Sequence, residues 1–132
     1  MSLIHAELVE KLNFGDDAVL LAMDSAGVDE VLAAVKQAAQ HGSAHLDHGA
    51  TVHQFLIQAG TADIEFGVGT VVWRLDSALA AEIMELLTEM QVHPGSGHHY
   101  VDISKPADTL VLSQNEYPLD LLPPEAAFPP VA

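Results

Sequence analysis

Histidine is the most versatile chemical group in this chain, which has eight of them and no cysteine. His41, His45, His48 and His53 follow the first predicted helix, His93, His98 and His99 follow the second, and His5 stands apart. Neutral imidazoles near carboxylates such as Asp47 and Asp102 suit a divalent transition metal, and a fold that brings the two helix ends together would make His41, His45, His93 and His98 the ligand set. The spacing His-x3-His-x2-His, however, runs across a helix end into a strand and so does not place its rings on one helical face. The competing reading is structural. His41 and His93 sit where a helix dipole is negative, and His45 and His98 are strand residues bonded to the adjoining turn.

Other chemistries are less well supplied. Without cysteine there are no disulfides, thiolate metal sites or Cys nucleophile. Ser43 and Ser96 have histidine neighbours, but each follows a helix and the Gly-x-Ser-x-Gly elbow of serine hydrolases is missing. Gly67 and Gly69 are not followed by a lysine and do not make a phosphate-cradling loop. No catalytic and no cofactor-binding residue is assigned, and a binding role is expected ahead of an enzymatic one.

Charge narrows the partners. Nineteen Asp plus Glu against four Lys plus Arg give a formal net charge of -15. Affinity for a phosphate backbone comes from counterions released to Lys and Arg, so nucleic acid and anionic membranes are poor partners. A basic protein is a better one, because opposite fields speed encounter. Glu82, Glu85 and Glu89 recur along one side of the second predicted helix and are the candidate protein-binding residues. The alternative is that they form a solvated face that keeps the chain in solution.

The elements that must position these groups can be read in order. Leu3 to Leu12 could be a helix with Ile4, Leu8 and Leu12 on one face, but the repeat register favours a strand; a turn at Phe14-Gly15-Asp16-Asp17 and a predicted strand from Ala18 to Met23 follow. Asp24 or Ser25 is placed to cap a helix whose Val28, Val31, Leu32, Val35 and Ala38 or Ala39 recur at three and four residues, with Gly42 as its stop. Ala44 to His48 and Val52 to Gln58 are predicted strands around Gly49-Ala50. Ala62 to Phe66 and Thr70 to Leu75 form a predicted hairpin around Gly67-Val68-Gly69. Asp76 or Ser77 caps a second helix with a stripe of Leu79, Ile83, Leu86 or Leu87, and Met90, ended by Pro94 and Gly95. Two further strands, Gly97 to Ile103 and Thr109 to Ser113, complete the order.

The same signals occur twice. Asp24-Ser25-Ala26 answers to Asp76-Ser77-Ala78, Glu30 to Glu82, and His41-Gly42-Ser43 with His45 to His93, Gly95-Ser96 and His98. This points to a tandem duplication of a unit of about fifty residues. The expected fold is α+β: two pseudo-repeats, 3–55 and 56–113, of antiparallel strands with one helix each, related by a pseudo-twofold axis and packed as one domain over 1–117. The helices would lie together on a shared sheet, or on opposite sides of two facing sheets. From 118 to 132 five prolines forbid helix and central strand, and this tail is expected either to be mobile or pack back on its own domain, or to clasp a second copy as a homodimer. No apolar run is long enough to cross a membrane and no signal peptide opens the chain, so a soluble cytoplasmic protein is expected.

From Val71 to Pro118, the strand ending in Leu75-Asp76, the helix, Gly95-Ser96-Gly97-His98-His99-Tyr100, Leu110-Val111-Leu112-Ser113 and Asn115-Glu116-Tyr117-Pro118 resemble small bacterial α+β domains. Some of these are similar to immunity proteins of contact-dependent toxin systems. The resemblance implies a non-catalytic protein that binds a toxin and blocks it. It assigns no functional residue, and an acidic protein facing a basic toxin would suit the charge.

Overall fold

The structure is a computed structural model describing residues 2–13 and 15–116. The Pro-rich tail, 118–132, and the homodimer expected through it lie outside the described residues. Eight strands and two helices follow in the order β1 (Ile4–Asn13), β2 (Asp16–Met23), α1 (Ser25–His41), β3 (Ser43–His48), β4 (Thr51–Ile57), β5 (Ala62–Gly67), β6 (Thr70–Leu75), α2 (Ser77–Val92), β7 (Gly97–Asp102) and β8 (Thr109–Gln114). The class is α+β.

Local sequence explains where each helix begins. The Asp24 carboxylate accepts the Gly27 amide at 2.7 Å and the Leu3 amide at 2.9 Å, so one side chain caps α1 and holds the residue before β1. Asp76 does the first of these jobs for α2, accepting the Leu79 amide at 2.7 Å. Gly42 ends α1 at φ 89°, a left-handed conformation that glycine adopts without strain, and its amide reaches the Ala38 carbonyl at 2.7 Å. Gly27 sits at a close backbone approach, because a Cβ there would stand 2.2 Å from the Leu3 carbonyl oxygen.

The strands form two four-stranded sheets, β1-β2-β8-β7 and β3-β4-β6-β5. Hairpins supply the antiparallel pairs, but the middle of each sheet is parallel, with Val19 opposite Leu110 in one and Phe55 opposite Trp73 in the other. The sheets are therefore mixed: strands adjacent in sequence pair antiparallel, as expected within each repeat, whereas the central pairs join strands far apart in sequence and run parallel. β4 also runs unbroken through 55 and 56, where the repeat boundary was expected, and the chain turns at Ala59-Gly60.

One core holds these parts together. Val19, Leu21 and Leu112 from the first sheet, Phe55, Trp73 and Leu75 from the second, and the stripes of both helices belong to a single cluster of buried side chains. In α1 the buried face includes Val28, Val31, Leu32, Val35 and Ala38, and in α2 it includes Leu79, Ile83, Leu87 and Met90. The helices pack on each other, and the Gln91 amide donates to the Asp29 carboxylate at 2.7 Å, tying the last turn of α2 to the start of α1 as antiparallel helices require. Among the described residues no helix is long and apolar enough to cross a membrane.

Candidate functional site

The histidines expected to converge are dispersed. His41 is the last residue of α1 and His93 caps α2, both exposed. His45 lies on β3 and His98 on β7, strands of different sheets. Among the described residues no group of three or more His, Asp and Glu is arranged to hold a metal ion. His98 Nδ1 stands 2.8 Å from Glu116 and its Nε2 3.3 Å from the Tyr100 hydroxyl.

A different set of histidines comes together. Strand alternation puts His48 and His53 on one face of the β3-β4 hairpin, and His53 is buried, with 3% of its surface exposed. Its Nδ1 accepts the Trp73 indole N–H at 3.2 Å, so the neutral ring carries its proton on Nε2. Burial, and then the neighbouring His48, push the His53 pKa down to about 4. Phe55 stacks on Trp73 with ring centroids 5.5 Å apart. His48 Nε2 lies 2.9 Å from the Ser2 carbonyl oxygen, which fastens this hairpin to the start of the chain.

His53 and His5 line a cavity of about 210 Å³ where β1 meets the second sheet, together with Thr51, Phe66 and Thr70. Room for a small molecule and hydrogen-bonding groups at the wall suit a ligand with acceptor atoms. Among the described residues no serine lines it. In the sequence His5 stands apart from every other histidine. The one signal for this site was parity across the Gly49-Ala50 turn, which assigns His48 and His53 to the same side.

The predicted acidic residues are where the helical period places them. Glu82, Glu85 and Glu89 are exposed on α2, opposite its buried stripe, and none has an ion-pair partner among the described residues. Of the four basic side chains only Arg74 is paired among those residues, with Glu65. The face that α2 presents to water is thus anionic and not neutralised by any of the described residues. Val92, at the end of the same helix, is 66% exposed and leaves an apolar edge beside the acids.

No protein-family model and no curated protein sequence matches the chain. Among solved structures, that of Drosophila Suppressor of Fused is similar over 75% of this chain, at 10% identity and a TM-score of 0.51. The match spans 25% of that larger protein, and at this identity the likeness is one of fold alone.

Proposed function

We propose that this chain is a non-catalytic binding protein whose acidic face, centred on Glu82, Glu85 and Glu89 of α2, engages a basic protein. The observation that carries the reading is the lack of compensation: nineteen acids stand against four bases, and the three α2 carboxylates share one helical face with no ion-pair partner among the described residues. Like charges so arranged repel one another in the free protein and gain from a cationic partner. A toxin domain of basic character, the partner class implied by the immunity-protein resemblance, fits this chemistry.

The pseudo-twofold duplication is part of the same proposal. Exchanging the first five elements for the last five turns the order β1-β2-β8-β7 into β5-β6-β4-β3. Paired hydrogen bonds support it: Asp24 N to Leu3 O answers to Asp76 N to Thr61 O, and Asn115 N to Met23 O answers to Gln58 N to Leu75 O.

The test is capture from native lysate at low and high salt with the chain as bait. A basic protein retained at low salt and released at high salt is the expected result, since exposed charges are screened beyond about 8 Å at physiological ionic strength. Retention of acidic proteins only, or of none at any salt, would overturn it. A second reading, small-ligand binding, is favoured by the His5 and His53 cavity. Its mark would be a small molecule that raises the melting temperature of the wild type and not of a His53→Asn variant.

A further inference from the structure

The cavity of about 210 Å³ beside the start of β1 has a wall whose hydrogen-bonding sense is fixed by a residue behind it. An indole nitrogen only donates, so Trp73 obliges His53 Nδ1 to accept and leaves the proton of the neutral ring on Nε2. That Nε2 has no hydrogen-bond partner among the described residues, yet it is not one of the polar atoms shut away from open space. His53 is buried and lines the cavity, so the cavity is the space its N–H faces. Burial, and then the neighbouring His48, lower the His53 pKa to about 4, and the ring remains a neutral donor at pH 7. His5, at the same wall, stands 3.3 Å from the Glu7 carboxylate, which answers its charge when it is protonated.

We propose, resting on the small-ligand reading and narrowing it, that this cavity takes a small neutral molecule with a compact apolar body and a carbonyl-type acceptor, to which His53 Nε2–H donates. Volume sets the body. An apolar cavity of about 150 Å³ holds benzene, so about 210 Å³ admits an aromatic ring with a short substituent. Ile4, Ala6, Phe66 and Val71 supply the apolar part of the wall. Charge sets the rest, because among the described lining residues there is no Lys, Arg, Asp or Glu. An ion of either sign would lose its water there without gaining a counter-charge. A ligand that only donates would meet the His53 N–H donor to donor. The Thr51 and Thr70 hydroxyls turn to either role and do not discriminate.

Trp73 is the only tryptophan, so its indole N–H gives a single resonance from inside this network. Three probes share a phenyl ring and a similar size: acetophenone is a neutral acceptor, benzoate an anion, and 1-phenylethylammonium a cation that only donates. In the full chain at pH 7, acetophenone shifts the Trp73 indole proton downfield and saturably, because an acceptor on Nε2–H makes Nδ1 a stronger acceptor. The two ions bind at least tenfold more weakly. Ala6→Leu, which fills the cavity from β1, weakens acetophenone at least tenfold. Should that variant disturb the fold, cross-relaxation from the acetophenone ring protons to the Ile4 and Val71 methyls locates the probe in the unaltered protein. Binding of either ion as tight as that of acetophenone would refute the neutral acceptor and leave the small-ligand reading standing. No saturable shift with any probe, or acetophenone that cross-relaxes only with residues elsewhere, would overturn both.

Discussion

Lowering the pH should destabilise this protein through one side chain, and the size of the effect can be worked from its surroundings. His53 is buried, accepts the Trp73 indole N–H through Nδ1, and has its pKa lowered from 6.5 to about 4. Between those values the unfolded chain binds a proton that the native ring refuses, so stability falls as pH drops from 6.5 towards 4. At 1.36 kcal/mol per unit the loss reaches about 3 kcal/mol by pH 4 and then levels off. Nineteen acids also change charge at low pH, so the quantity to measure is the difference in urea unfolding free energy between wild type and His53→Asn. Asparagine keeps an acceptor for the indole and does not titrate. Wild type should lose about 3 kcal/mol relative to the variant between pH 7 and pH 4. The ring carbon resonance of His53 should titrate near 4 in the same samples. A stability difference that stays constant across that range, or a ring that titrates near 6.5, would refute the reasoning.

Three further outcomes follow from contacts of the fold. Asp24→Ala should cost about 2 kcal/mol and Asp76→Ala about 1 kcal/mol in denaturant unfolding, because Asp24 holds the Leu3 amide as well as its helix cap; equal costs would contradict this. Gly27→Ala should destabilise by about 1–3 kcal/mol, reversing the gain that the same change usually gives within a helix, since its Cβ would strike the Leu3 carbonyl. His53→Phe should lose about 1–3 kcal/mol at pH 7 by leaving the Trp73 N–H buried without an acceptor, with a blue shift of tryptophan emission as the accompanying sign.

Much of the chain announced itself locally, and the reasons are specific. The Asp24 cap, the Val28 to Ala38 stripe and Gly42 are all short-range signals, and α1 runs from Ser25 to His41 as they require. The Gly67-Val68-Gly69 hairpin and the turn at Gly49-Ala50 are equally local. What alternation could not convey was the pairing of strands distant in sequence. Nothing in the β2 or β8 sequences says that Leu21 and Leu112 lie side by side in parallel, because each strand is apolar on both faces and fits either direction. That same pairing separates β3 from β7, which is why His45 and His98 belong to different sheets. His5 and His53 border one cavity only because the start of β1 lies beside β4 and the β5-β6 turn, a neighbourhood with no signature in either segment.

The most direct measurement of the proposed function compares two neutralised proteins in the same capture experiment at low salt. One carries Glu82→Gln, Glu85→Gln and Glu89→Gln on α2; the other carries Asp16→Asn, Asp102→Asn and Asp108→Asn, three exposed acids elsewhere with the same change in net charge. The account predicts that the first loses the basic partner and the second keeps it. Equal retention by both, or loss confined to the second, would contradict the assignment of the α2 face as the binding surface.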